Sequence, residues 1–430
     1  MNKKRGSRVL EWGKSLLILL LAVSAVFLLG HTQISGEMVN ELQNLFDRPT
    51  EDEVKDPSTQ ISATAFHPVQ IVTCQNELRY GVQYSQDETD EVFSALSIVL
   101  TEALGSAGVP EEIPEREWRA ALCSTGIYME YLYPVPLYAL STQTEGDQEP
   151  VQLFGSTKRI CVAADQADGV SLYYINEEDG KIYACTTTLS SDFHLDAAIA
   201  DWAPNGAQFA FEVAGMETLE PYTLLTRTPQ PVVYRASDPL LDDAEKLDQL
   251  LSALAFRSRG MMLDPKAGGQ IVENNDSLRL SADGVVTFHT IGNEEYRFLL
   301  SGSDTRTALN YVQTIVEDTI GAWCGQARVC LSGIEETEEG LVITFQYSLN
   351  GAPVALPDGN EAARFMIRNG AITDFSLYLR SYTATEETSL VLPVAQAAAA
   401  MDALKADGKE LTLFYQDSGG EEIRAIWIAA

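Results

Sequence analysis

SLLILLLAVSAVFLLG, residues 15–30, is an uncharged apolar run, and its reading decides how the rest of the chain is organised. Lys3, Lys4, Arg5, Arg8 and Lys14 precede it, with Glu11 the only acid among them. A membrane-spanning helix needs about 20 mostly apolar residues, and Trp12 and Gly13 bring the run near that length. Basic residues ahead and acidic sequence behind predict a cytoplasmic tail at 1–14 and a single anchor at 15–30, with the bulk of the chain beyond the membrane. A cleaved signal peptide has the same basic start, and Ala22-Val23-Ser24 loosely fits a small-residue cleavage site. Ala25–Leu29 continues apolar past that point, which favours the uncleaved anchor. The first cysteine is Cys74, too far along to carry a lipid.

A chain of 430 residues exceeds one ordinary core, so two or three extracytoplasmic domains are expected. Hydrophobic residues make up 45%, enough to build cores, which excludes wholesale disorder. Of 29 Lys and Arg, 5 precede the run, against 1 of 62 Asp and Glu, so the remainder carries 24 positive and 61 negative charges. That balance argues against nucleic acid and against anionic lipid surfaces, both of which need basic patches. Solubility among anionic wall polymers explains it more simply than an acidic binding surface. The 6 cysteines are too few for a disulfide scaffold. Pairs can form in such a compartment, with Cys324 and Cys330 closest in sequence; buried free thiols are an equal alternative.

After the anchor, Glu37–Phe46 has helical spacing and Arg48–Gln60 reads as a linker, so 31–60 is juxtamembrane. A first α+β part is expected over 61–235. Val69–Thr73 and Arg79–Tyr84 read as strands about a turn. A helix follows with Val92, Leu96, Val99, Leu100 and Ala103 inside, opened by a capping box of Ser85 and Glu88. Ile127–Tyr133 (IYMEYLY) reads as a strand. A meander of Ile160–Ala163, Val170–Ile175, Ile182–Thr188 and Ala207–Phe211 comes next, with Val232–Tyr234 closing this part. A second α+β part is expected over 236–430. It holds a helix about Leu240–Leu254 and a hairpin at Asp283-Gly284. A long helix through Ile320 is capped by Ser303. Leu341–Leu349 (LVITFQYSL) alternates as a half-buried strand. A type I′ hairpin sits at Asn369-Gly370, a helix over Pro393–Leu404, and strands at Glu410–Tyr415 and Ile423–Ile428. The fold class is therefore α+β with antiparallel sheets behind one transmembrane helix. No fixed-period repeat is present.

Catalytic spacings are missing. His31, His67, His194 and His289 fall in separate segments without an HExxH pattern, and each reads as a hydrogen-bonded or solvent-facing residue. There is no CxxC, no SxxK and no GxSxG; Gly155-Ser156-Thr157-Lys158 lacks the spacing of a phosphate loop. Asn274-Asn275-Asp276 lacks the glycine and terminal Glu of an EF-hand. Glu111-Glu112, Asp242-Asp243 and Glu335-Glu336 read as solvated acids in loops or helix starts. Glycoside hydrolysis needs only two carboxylates, so a hydrolase stays open as an alternative. No cofactor, metal or catalytic residue is expected, no small-molecule substrate either.

A short basic tail, an anchor entered by Glu11–Ser15 (EWGKS) and an α+β remainder resemble the YycH/YycI regulators of Gram-positive bacteria. His67–Thr73 (HPVQIVT) is similar to the first strand of YycH-type proteins, and Trp118–Leu140 to their strand entering a proline-bounded segment. Ile271–His289 resembles the segment before their hairpin. Phe345–Val354 (FQYSLNGAPV), Arg364–Leu379 and Ile423–Ile428 resemble the YycI-like module, itself similar to PepSY-like domains. The resemblance implies a non-enzymatic regulator with no active site. It would bind a membrane sensor histidine kinase of a two-component system governing the cell wall, beside a sister YycH/YycI-type protein. The alternative is a wall-binding or assembly protein, or one restraining a wall hydrolase.

The anchor itself offers a binding face. Ala22, Ala25 and, one turn on, Leu29 share one side of a helix, with Ser15 and Ile18 farther along it. Small residues let helices approach closely in lipid, so this face is the expected contact for a kinase transmembrane helix.

Overall fold

The computed structural model describes residues 66–140, 153–165, 169–241, 243–257, 263–290, 296–403 and 410–429. The anchor and its face (Ser15, Ile18, Ala22, Ala25, Leu29), the juxtamembrane helix and the linker lie outside these residues. The fold is mixed α+β with mainly antiparallel sheets. No helix among the described residues is long and apolar enough to cross a membrane.

The first sheet has seven antiparallel strands. They are β1 (Gln70–Gln75), β2 (Leu78–Gln83), β3 (Glu111–Ile113), β4 (Gly126–Pro136), β5 (Ser156–Ala164), β6 (Gly169–Ile175) and β7 (Ile182–Ser190), in the order β2-β1-β4-β5-β6-β7-β3. Helix α1 (Gln86–Gly105) lays Val92, Leu96, Val99, Leu100 and Ala103 on one face, against Ile71, Ile127, Met129 and Val162. Each buried Leu or Val contributes roughly 1.5–3 kcal/mol of transfer free energy. The opposite face carries Val72, Tyr128 and Cys161. It is covered by Trp118 and Leu122 of α2 (Glu115–Cys123) and by Phe209, Tyr222 and Leu224. With both faces covered, β1 is buried at five consecutive positions, so it reads as an apolar run without alternation. The expected fourth meander strand is instead a two-residue bridge, β8 (Gln208–Phe209) with β9 (Leu224–Leu225), lying over the sheet.

The second sheet contains β11 (Gly269–Glu273), β12 (Asp276–Leu280), β13 (Val285–Thr290), β14 (Arg328–Thr337), β15 (Gly340–Leu349), β16 (Ala352–Ala355), β17 (Ala363–Arg368), β18 (Ala371–Tyr378), β20 (Leu411–Gln416) and β22 (Ala425–Ala429). Helix α4 (Thr305–Val316) puts Leu309, Val312, Ile315 and Val316 into the same core as Phe345 and Phe365. Asn369 and Gly370 have φ of 53° and 73°, the left-handed pair that a type I′ hairpin requires. Strand β10 (Val232–Ser237) pairs with β19 (Ser381–Thr388) and β21 (Glu422–Ile423), so the segment over 232–234 joins strands from the end of the chain. Helices α3 (Ala244–Ala253) and α5 (Val394–Ala403) complete the described elements used below. One buried cluster runs from Phe66 to Ala425 through both large sheets.

Several local expectations are corrected. Ser85 is the N-cap of α1 but its hydroxyl makes no cap bond; Glu88 accepts from the Tyr80 hydroxyl at 2.6 Å instead. Glu111-Glu112 and Glu335-Glu336 sit in strands, not loops. All 6 cysteines, Cys324 and Cys330 included, are free thiols. Cys324 Sγ lies 3.2 and 3.0 Å from the Gly321 and Ala327 carbonyls, and its one S–H is shared between them, which gives that thiol a structural use. The cap of α4 is Asp304 rather than Ser303: its carboxylate accepts from Thr307 N at 2.9 Å and Thr307 Oγ1 at 2.7 Å. Asp304→Ala should therefore cost about 1 kcal/mol in urea unfolding, while Ser303→Ala should cost near zero. Equal effects would contradict the assignment.

Candidate functional site

Strand β4 is the wall shared by two cavities. It carries Glu130 within Ile127–Tyr133, an otherwise uncharged stretch, and its pairing with β5 shifts register between Glu130 and Val135. Such a bulge re-aims side chains beside a site.

Glu130 is buried and lies directly across from Gln70 on β1 and Arg159 on β5. Its carboxylate accepts from Tyr128 Oη at 2.6 Å and Gln70 Nε2 at 3.2 Å. Arg159 Nε stands 3.3 Å away and Lys158 Nζ 3.6 Å. Lys158 Nζ also donates to Glu410, at the entry to β20, at 2.6 Å, and so ties the two large sheets together. Arg159 reaches Glu220 at 3.2 Å and lies over the Tyr222 ring. Three carboxylates therefore surround two cations. Burial opposes the Lys158 charge, yet Glu130 and Glu410 together hold its ammonium above the usual range. The surplus carboxylate is Glu220: burial pushes it up to about 7, against the pull of Arg159. Gln70, Tyr84, Glu130, Lys158, Glu410 and Thr412 line a cavity of about 260 Å³ beside this cluster.

The sign of the Glu220 effect is fixed. A carboxyl whose folded pKa is raised from 4.5 to about 7 favours folding fully below its unfolded pKa, and that contribution is lost as the pH climbs through 7. Glu220→Gln, a stand-in for the protonated acid, should nearly match the parent at about pH 4, below the unfolded pKa. At pH 8 it should be more stable on the order of 2 kcal/mol. Urea midpoints at the two pH values check this; equal shifts at both would contradict it.

The second cavity, about 380 Å³, lies on the other side of Leu132 and Tyr133, against α4 and β14. Phe66, Tyr131, Val135, Val316, Leu331 and Phe345 make its apolar lining, and all six are buried. At its rim Arg328 pairs with Asp90, which also meets His67 Nδ1 at 3.4 Å.

A third feature is a surface. β22 ends the second sheet, with Ile426 exposed. The segment of Leu390 and Leu392 runs beside it, fixed by Trp427 Nε1 donating to Leu392 O at 2.9 Å and by Ala425 N donating to Ser389 Oγ at 3.0 Å. Leu390 is fully exposed and Leu392 half exposed. Three large apolar side chains are thus exposed at and beside the last strand of the sheet, the kind of patch that marks a contact surface.

The remaining sequence candidates have local duties. His194 Nδ1 accepts from Ser190 N at 3.1 Å, and His289 Nδ1 lies within hydrogen-bond distance of Asp374 Oδ1. Asn274-Asn275 is the β11–β12 turn, and Asp276 pairs with Arg297 at 2.8 Å. Among the described residues no group of three or more His, Cys, Asp or Glu is placed to hold a metal ion. The Glu130 cluster was missed because its members lie up to 340 positions apart, from Gln70 to Glu410. A lone acid inside IYMEYLY was the available signal.

No family model matches the chain, and no curated protein matches it. Among solved structures, the crystal structure of YycH from Bacillus subtilis matches with a TM-score of 0.49 and 12% sequence identity, over 84% of this chain and 92% of that one.

Proposed function

We propose that this chain is a membrane-anchored extracytoplasmic regulator that acts on a sensor histidine kinase by contact, with residues 31–430 outside the membrane. The apolar patch of Leu390, Leu392 and Ile426 at and beside β22 carries the reading, because grouped exposed apolar side chains are suited to a protein partner. The apolar run at 15–30 with its basic flank and the YycH/YycI-type stretches support the membrane and kinase parts.

One observation favours a second reading, a wall-active hydrolase. Glu130 and Glu410 both line the smaller cavity, and both lie against Lys158 Nζ, at 3.6 and 2.6 Å, which gives one cavity the two carboxylates that glycoside hydrolysis needs. The chemistry weighs against it. The carboxyl protonated near neutrality, Glu220, is not among the residues lining that cavity.

Capture from detergent-solubilised membranes tests the reading. The full chain should retain a sensor kinase, and the pair Leu390→Asp with Ile426→Arg should reduce recovery at least about tenfold, with unfolding free energy shifted by less than about 1 kcal/mol. Undiminished recovery, or peptidoglycan turnover by the full chain that Glu410→Gln abolishes, would overturn it.

A further inference from the structure

We propose that Cys74 and Cys123 are a site of oxidative modification, where exchange with an external disulfide joins the end of β1 to the end of α2. Both are thiols in the structure. The Cys74 S–H donates to the Cys123 carbonyl oxygen, 3.5 Å from Sγ, so its sulfur touches the residue that carries the second one. Along β1, Cys74 alternates with Val72 onto the sheet face that α2 covers, and Cys123 is the last residue of that helix. The chain then turns straight into β4, where Gly126 lies opposite Cys74.

An arginine stands beside both sulfurs. Arg79 lies opposite Cys74 on β2, and its Nη2 donates to Leu122 O at 3.1 Å and to Cys123 Sγ at 3.3 Å. Burial pushes both thiols up, and the guanidinium pulls each of them back toward the thiolate that exchange requires. Cys123 is partly exposed, whereas Cys74 is buried. Cys123 is therefore the thiol that meets a reagent first, and Cys74 the one that closes the link.

Distance removes the other cysteines of this sheet as partners for Cys74. Cys161 is on the same face, but β5 is the second strand over from β1. Neighbouring strands stand about 4.8 Å apart, so its Cα lies on the order of 10 Å from that of Cys74, beyond the roughly 7 Å that a disulfide spans. Cys185 packs on the opposite face. The oxidant is a small-molecule or protein disulfide. The Cys123 thiolate attacks one of its sulfurs and expels the other as a thiolate. The Cys74 thiolate then attacks Cys123 Sγ in the mixed disulfide and expels the second. The two thiol protons pass to the two expelled sulfurs, and the donor takes up the two electrons that the pair gives up. The loop so closed spans 49 positions, so the link narrows the unfolded chain and fastens α2 to the sheet.

In the test, the full chain is purified in detergent, freed of reductant and equilibrated with oxidised glutathione. It is then quenched in acid, unfolded, alkylated and digested. Mass spectrometry should find Cys74 and Cys123 joined in one linked peptide, with Cys161, Cys185, Cys324 and Cys330 alkylated. Oxidation should raise the melting temperature by about 5 °C, and Cys123→Ser and Cys74→Ala should each abolish that rise. Alkylation of all the cysteines, a glutathione adduct on Cys123 with Cys74 still alkylated, or a link through any other cysteine would overturn the proposal.

Discussion

Asp417→Ala is expected to lower the unfolding free energy by about 3–5 kcal/mol, the largest stability effect in the molecule. Asp417 is 1% exposed, and its carboxylate takes both Nε and Nη2 of Arg380 at 2.8 Å each, a two-pronged match of planar groups. Tyr382 Oη at 3.1 Å and Gly419 N at 2.8 Å fill its remaining positions. Arg380 follows β18, Tyr382 lies on β19, and Asp417 follows β20, so one carboxylate fastens the second and third sheets together. Removing it leaves a buried guanidinium with one carbonyl, Gly420 O at 3.2 Å. The double change Asp417→Leu with Arg380→Met removes both charges and should recover more than half of the loss. Urea unfolding of the two variants decides; Asp417→Ala within about 1 kcal/mol of the parent would show that the pair is not what fastens the sheets.

The largest functional effect is expected at the anchor. Replacing Ser15–Gly30 with an unrelated apolar span should leave the chain in the membrane yet all but abolish recovery of the kinase. Ala22→Leu with Ala25→Leu should do the same more weakly. Leucine is at least as favourable as alanine at the bilayer centre, so insertion survives while close helix approach is lost. Membrane pull-down with each variant is the measurement. Full recovery with the exchanged span would reduce the anchor to a tether.

What the sequence disclosed follows from distance along the chain. The stripe of Val92, Leu96, Val99, Leu100 and Ala103, and the turn at Asn369-Gly370, are local features, and the structure carries each of them. Leu341–Leu349 was legible because α4 covers one face of β15, which leaves alternation in the residues. β14 was not read as a strand. It is only partly buried, and its bulge between Leu331 and Gly333 breaks the period of two. β19 was missed for a related reason: SYTATEET buries only Tyr382, so no apolar pattern announces it. Ile423–Ile428 reads as one strand but splits, with Ile423 paired to β10 and Ala425 onward paired to β20, because the chain passes from one sheet to another at Arg424. The partners in the Glu130 cluster and in the Arg380–Asp417 pair were not legible, since nothing in a linear string says which distant charge will neutralise which. The two cavities are likewise products of packing between segments far apart in sequence.

The central claim is that this chain changes the output of a kinase by touching it. Autophosphorylation of the captured sensor kinase, co-reconstituted in liposomes with the full chain, tests that most directly. The initial rate should differ at least about threefold from kinase alone, and the difference should vanish when the chain carries both the exchanged anchor and Leu390→Asp with Ile426→Arg. A rate unchanged by the full chain at saturating ratio would contradict the account.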